Sequence, residues 1–478
     1  VIIVPDKTDI DGLGVLTGFR REFHDCLTAR ADALFELCDA VLCADGPVTS
    51  LPELSLVPVH RRGHGALYDA LARGRIEIDR FRTALAGLRL PRRQGRLVIA
   101  IDVTAWPRPD ADCSPDRLHC HRPCRCDAAR RTVPGWPYSV VAALGTGRTS
   151  WTAPLDIQRI TPRDDVTTIT ATQIRDLLDR LTTTGQLRPD DPPVLIVLDS
   201  GYDIVRLTWL LADLPVRLLG RIKGNRVVHG PPPDRQPGTR GLPPRHGDRF
   251  ALADPTTWHP AGQETHNDHD RYGTVHARAW SRLHPVLQGR GTWARHPGLL
   301  PVVEATIILL RVDRLPGDRR PDPLWLWSGD PHLPTATELD LLWHSYLRRF
   351  DLEHTFRFLK QTLGFTRPRL RTPQQADRWA WLILAAHTQL RLARGLVADL
   401  RRPWEKPLHP DRMTPGRVRR GFTHLRRKTA NPSSVPRTTR PGPGRPKGSL
   451  SGPAPRHPVG KNHTKPDTPK RARTKQPG

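Results

Sequence analysis

At 478 residues the chain is long enough for two or three domains, yet only 37% of it is hydrophobic, so part of it is expected to lie outside any core. A formal net charge of +27 favours a polyanionic partner, nucleic acid first; an anionic membrane surface is the alternative, but no basic amphipathic helix with aromatic anchors supports it. No run of 18 apolar residues exists to span a membrane, and the opening VIIVPDKTD lacks the basic leader of a secretory signal. Seven cysteines, an odd number in a long chain, fit a disulfide framework poorly and point to a reducing, cytoplasmic setting.

Residues 1–92 read as a helical N-terminal domain. Phe19–Leu42 carries Phe23, Leu27, Leu34, Leu37 and Val41 at helical spacing and stops at Gly46-Pro47. A short helix fits Thr49–Leu56. After the basic hinge His60–His64, a second long helix fits Ala66–Leu88, weakened by Gly74. Short helices with basic turns suit contact with nucleic acid, or a helical cap on a core.

Residues 93–225 alternate strands and helices. Arg96–Thr104 (RLVIAIDVT) is a short apolar, β-branched run, a buried strand with Asp102 near its end. Trp106 and Pro107 follow and are expected at the lip of any site there. Cys113, His119, Cys120, His121, Cys124 and Cys126 cluster next. Their C-x3-C-x-C spacing with nearby His could hold zinc, but it is not a standard pair of C-x2-C knuckles, and the other reading is a cysteine-rich surface loop after a strand. Tyr138–Leu144 and Ser150–Ile160 read as strands, Thr172–Leu181 as a helix, and Val194–Leu198 (VLIVL) as a buried strand that ends directly in Asp199. Asp203 fits the cap of a helix over Ile204–Leu214, and Val216–Ile222 makes a further strand.

From 226 to 330 the text turns rich in Pro, Gly and His and fits an insertion holding a few strands, among them Gly273–Trp280, Val302–Val312 and Leu324–Ser328. Residues 331–400 read as helices, the last over Gln374–Leu396. Residues 401–478 hold 21 Lys and Arg against three Asp and Glu, a net +18 of the total +27, with dense Pro and Gly, and are expected to be a disordered basic tail. Within it Pro443–Gly448 (PGRPKG) resembles an AT-hook for the minor groove.

The stretch Tyr346–Lys360 (YLRRFDLEHTFRFLK) has no Gly or Pro and follows a helix-start signal at Thr335–Asp340. On one continuous helix Tyr346, Arg349, Glu353 and Lys360 would share a strip about 60° wide. The spacing Tyr-x2-Arg-x3-Glu-x6-Lys resembles the signature of a large group of bacterial insertion-sequence transposases with a DDE catalytic triad. The resemblance implies an α/β protein: an RNase H-like mixed sheet flanked by helices, with a mostly β insertion between the second acid and the Glu. It implies Asp102, Asp199 and Glu353 as catalytic metal ligands, two Mg²⁺ ions with Mn²⁺ as a substitute, and Tyr346, Arg349 and Lys360 as DNA-binding residues. It further implies that residues 1–92 recognise a DNA end, with double-stranded DNA as partner (transposon terminal inverted repeats and target DNA), a homodimer on that DNA, and a nucleoid-associated location.

In-line cleavage of a phosphodiester needs an activated attacking oxygen and a stabilised leaving oxygen, which two metal ions about 3.5–4 Å apart supply. Mg²⁺ takes oxygen ligands and keeps water, so a few carboxylates suffice. The implied reaction frees a 3′-OH at the transposon end, which then attacks target DNA. Two other readings compete: a catalytically inactive or domesticated transposase-derived DNA-binding protein, and an RNase H-like nuclease acting on hybrids or junctions.

Overall fold

The computed structural model describes residues 7–121, 132–235, 241–315, 321–436, 446–449 and 452–460. They form two compact units, one of residues up to 161 with 172–198 and 345–460, the other of 162–171 and 199–344.

The first unit opens with helices α1 (Lys7–Asp25), α2 (Ala31–Cys43), α3 (Leu51–Leu54), α4 (His64–Arg73) and α5 (Ile78–Gly87), and with a paired β1 (Leu27–Ala29) and β2 (Arg75–Ile76). Both long helices expected here are broken. Arg30 takes a left-handed backbone (φ 55°) and separates α1 from α2. At Gly74 a Cβ would stand 2.3 Å from the Ala70 carbonyl oxygen and 2.7 Å from the Leu34 side chain, so only glycine allows the chain to turn this close to α2.

A mixed sheet follows: β3 (Arg92–Arg93), β4 (Arg96–Pro107), β5 (Leu118–His121), β6 (Thr132–Leu144), β7 (Thr152–Arg159), α6 (Val166–Thr183) and β8 (Val194–Leu198). β4 runs parallel to β8, with Ile101 opposite Leu198, and antiparallel to β6, with Asp102 opposite Val140. β5 and β7 both pair with β6, at its two ends. Leu97–Ile101 and all of β8 are buried, as strands covered on both faces require.

The second unit is mostly β. After α7 (Ile204–Leu210) come β9 (Val216–Ile222), β10 (Val227–His229), β11 (Arg249–Ala251), β12 (Gln263–His269), β13 (Gly273–Leu283), β14 (Ala305–Val312) and β15 (Leu324–Ser328). Strands β12, β13, β14, β15 and β9 form an antiparallel sheet in that order. The rings of Phe250, Trp258, Trp280 and Trp325 cluster with centroids 5.2–6.4 Å apart, which gives this Pro-rich stretch a core of its own. Asp203 caps α7, accepting the Arg206 amide at 3.2 Å.

Helices α8 (Ala336–Arg348), α9 (Phe350–Gln361), α10 (Pro373–Leu392) and α11 (Pro415–Arg426) complete the described chain. A capping box between Thr372 and Gln375 starts α10, and from Trp379 to Leu390 every side chain is buried. It packs against α1, α2, α4, α11 and β7. No domain boundary therefore falls at residue 92: the N-terminal helices cap the same unit that holds β4 and β8.

The tail is also corrected. Val418, Phe422 and Leu425 of α11 are buried at helical spacing, and Met413 with them. The fully buried Asp39 carboxylate accepts two hydrogen bonds from Arg20, at 2.7 and 2.9 Å, and a third from Arg426 of α11 at 3.0 Å. Arg419 donates to the Val41 and Gly46 carbonyls. The disorder expected from composition averaged these few apolar residues into a basic stretch. Of the AT-hook-like segment, residues 443–445 lie outside the described residues.

A chain ended at Leu400 is expected to be less stable than one ended at Gly460 by about 5 kcal/mol, from the apolar side chains of α11 alone; equal urea midpoints would mean that α11 holds nothing in place. The fully buried His387 is depressed by desolvation, and less by nearby Arg391, from 6.5 to about 3. The unfolded chain takes up that proton near 6.5 and the folded one only near 3, so stability falls as pH drops through this window and is untouched above it. His387→Leu is expected to flatten the acid limb of a Tm-versus-pH curve, and an unchanged limb would put acid lability elsewhere.

Candidate active site

The site begins where β4 ends its buried run. Asp102 is half-buried, with its Oδ1 accepting the amide of Val103 at 2.8 Å and its Oδ2 accepting Arg349 Nη1 at 3.1 Å. The other end of the same guanidinium, Nη2, donates to Glu353 Oε1 at 3.1 Å. Arg349 is 5% exposed, whereas the Glu353 side chain is 44% exposed. Two carboxylates 251 residues apart in sequence thus converge on one buried cation.

One contact seats α9 on the sheet, and a second anchors the end of α8 just before it. The Thr355 and Thr152 hydroxyls meet at 2.9 Å, linking α9 to β7. Arg348 donates to the carbonyls of Gly147, Gly145 and Thr149, at 2.6, 3.0 and 3.3 Å, in the turn between β6 and β7. The stretch expected as one helix is two. Arg349 keeps helical angles (φ −52°, ψ −31°), but the bonds around it shorten to i→i−3, Arg349 N to Tyr346 O at 3.1 Å and Leu352 N to Arg349 O at 2.9 Å. Tyr346 therefore belongs to α8, and Arg349, Glu353 and Lys360 to the start and body of α9. Tyr346 is buried at 5% exposure.

Lys360 is half-buried, and burial lowers its pKa, opposed by the neighbouring Cys120 and Asp102. Cys120 on β5 is buried, and desolvation pushes its thiol to about 12. Cys113 donates to the Ala454 carbonyl, and Cys124 and Cys126 lie outside the described residues. Trp106 is not at the lip of the site: it is fully buried, its ring 5.9 Å from Trp136 and 5.5 Å from Phe365. Its position on a strand continued beyond Asp102 turns it into the core.

Asp199 is the residue after Leu198, whose register partner Ile101 precedes Asp102. Two parallel neighbouring strands each hand on to an aspartate. Asp199 opens the second unit, and directly after it Ser200, Gly201 and Tyr202 begin the lining of a cleft of about 760 Å³ within that unit. Arg221, Lys223, Arg226 and Arg290 stand exposed around it, and none forms an ion pair or side-chain hydrogen bond among the described residues. The cleft's one acid, Asp203, is engaged with the Thr292 hydroxyl at 2.7 Å and the α7 amide. Sequence reading passed over these cations, although Arg221, Lys223 and Arg226 follow one another at the end of a strand.

Donor chemistry at Asp102 and Glu353 suits a hard divalent cation: carboxylate oxygens already facing one positive charge. Among the described residues no three His, Cys, Asp or Glu side chains converge as a ready metal cage. No helix among them is long and apolar enough to cross a membrane.

In the first unit a mixed sheet is flanked by helices, with Asp102 at the end of a buried strand and Glu353 on a helix that packs beside it. The sequence model of the DDE superfamily endonuclease family matches residues 22–286, more than half of the chain, and the chain belongs to that family. The matched segment contains Asp102 and Asp199 and ends before Glu353. No curated protein matches the chain.

Proposed function

We propose that the protein is a DNA transposase that cleaves transposon ends and joins them to target DNA, of the insertion-sequence group whose signature Tyr346, Arg349, Glu353 and Lys360 reproduce. The observation that carries this reading is the convergence of Asp102, from the end of β4, and Glu353, from α9, on one point. Family membership supplies the endonuclease class.

In this reading Asp102, Asp199 and Glu353 hold divalent metal, Mg²⁺ by preference. Bound metal would activate the attacking oxygen and stabilise the leaving one. The chain itself supplies three things. The rigid register of β4 fixes Asp102. The Thr355 contact fixes the helix that carries Glu353, and the Arg348 contacts fix the end of the helix before it. Lys360, beside Asp102, offers an ammonium to a phosphate next to the scissile bond. The exposed cations of the second unit add a further surface for DNA: with no carboxylate partner among the described residues, their charge is open to phosphates. Cleavage frees a 3′-OH on the transposon end, and that hydroxyl displaces a 3′-oxygen in target DNA, so one phosphodiester forms as one breaks. Two copies of the chain would hold two ends.

On duplexes carrying the element's flanking repeats, with Mg²⁺ or Mn²⁺, wild type is expected to cut at the repeat boundary. Asp102→Asn, Asp199→Asn and Glu353→Gln should each fall to about 1% of that rate or less, the scale of removing one electrostatic group from an active site. Tight binding without cleavage by wild type would favour the DNA-binding relic, and full cleavage by Glu353→Gln would remove α9 from the chemistry. Replacing Arg221, Lys223 and Arg226 together by Gln should lower the slope of log K against log salt by about 0.9 for each phosphate no longer neutralised. An unchanged slope would mean that the cleft does not hold DNA.

A further inference from the structure

Arg349 stands where a cation belongs. Its two terminal nitrogens are divided between Asp102 Oδ2 and Glu353 Oε1, at 3.1 Å each. The guanidinium keeps its charge at any working pH, and its planar fork suits two acceptors at once. Asp102 has both oxygens engaged, Oδ1 by the Val103 amide and Oδ2 by Arg349. Oδ1 is tied to the strand backbone and cannot turn away without breaking that bond. A divalent ion binding Asp102 through its site-facing oxygen would compete with Arg349 for that oxygen and would bring a second positive charge against the guanidinium. Glu353 Oε1 faces the same competition.

The surroundings allow that exchange. Arg349 lies at the joint of α8 and α9, where the hydrogen bonds are of the tighter i→i−3 kind. The Glu353 side chain is 44% exposed and has room to swing, while Asp102 is held. Lys360, the other cation beside Asp102, stays in place as local positive charge.

We propose that Arg349 is a positioning residue. In the metal-free protein it keeps Asp102 and Glu353 converged, and it gives both up when divalent metal binds. The released guanidinium is then offered to a DNA phosphate, so that metal loading and DNA binding reinforce one another. This rests on the reading of Asp102 and Glu353 as metal ligands. It goes beyond that reading in making the Arg of the signature a counter-ion first and a DNA contact second. The benefit is physical: two partly desolvated carboxylates repel unless something positive lies between them, and a bidentate Arg holds them in place until metal arrives. Coupling of this kind is reciprocal, so metal must raise DNA affinity by the factor by which DNA raises metal affinity.

The test uses the full chain. Mn²⁺ is titrated without DNA and followed by electron paramagnetic resonance, for wild type, Arg349→Gln, Arg349→Lys and Asp102→Asn. In parallel, fluorescence anisotropy with a pre-cut end duplex, on which no cleavage remains to be done, measures DNA affinity with and without Mn²⁺. Arg349→Gln is expected to bind Mn²⁺ about tenfold more tightly than wild type, within the usual range of coupling between sites. Arg349→Lys should also bind more tightly than wild type, because an ammonium keeps the charge but cannot bridge both carboxylates; a mere charge effect would leave it equal to wild type. Mn²⁺ should raise DNA affinity about tenfold in wild type and leave it unchanged in Arg349→Gln. Where Arg349→Gln fails to fold, Arg349→Lys carries the same comparison. Mn²⁺ binding that Asp102→Asn abolishes but neither Arg349 variant tightens would overturn the exchange and leave the metal-ligand reading standing. Absence of Mn²⁺ binding in wild type and in both Arg349 variants would overturn both.

Discussion

The site depends on the pairing of β4 with β8 on one side and β6 on the other. Parallel pairing with Ile101 opposite Leu198 means that two buried apolar runs end level, and each is followed by an aspartate. A slip of one residue would turn Asp102 to the opposite face of the sheet. The hydrophobic runs Leu97–Ile101 and Val194–Leu198 are what prevent that slip, because every residue in them is buried. A core requirement thus sets the position of Asp102.

Arginine serves this protein in two distinct ways. Inside the first unit it is structural: Arg20 and Arg426 satisfy a carboxylate that would be costly to bury alone, Arg419 and Arg348 satisfy carbonyls at turns, and Arg349 reconciles two acids. Around the cleft of the second unit Arg221, Arg226 and Arg290, with Lys223, meet no acid among the described residues. A basic composition therefore does not translate residue for residue into nucleic-acid contact. The cations that stay unpaired are the ones whose charge remains for a polyanion, and burial with hydrogen bonding separates the two sets.

The helices near the N-terminus and the helix of the basic tail make one cap. Asp39 of α2 is bound by Arg20 of α1 and Arg426 of α11, and Gln389 of α10 accepts from the same Arg20 at 2.5 Å. Four helices from both ends of the chain are tied at one buried carboxylate. The fold thereby closes over α10, which packs against β7 of the sheet. The cap thus braces β7, the strand that α9 also meets through Thr355 and Thr152.

Much of this was legible in the residue order. The β-branched runs ending in Asp102 and Asp199, the cap at Asp203, the strands β13, β14 and β15 and the buried helix α10 all follow from local pattern, because strand burial, capping and helical periodicity leave marks within a few residues. The resemblance carried by Tyr346, Arg349, Glu353 and Lys360 led to the DDE class, and the family model gives that class from residues 22–286. What tertiary structure decided are matters of non-local contact. Leu34 demands the glycine that breaks the second helix at Gly74. Asp39, 387 residues away, gives Arg426 and a helix in the basic tail a partner that no composition average reveals. Trp106 turns into an aromatic core instead of facing solvent. Arg349, which by spacing alone is one more cation on a charged strip, becomes the buried bridge between two acids, because the register of β4 brings Asp102 to it and the helix brings Glu353.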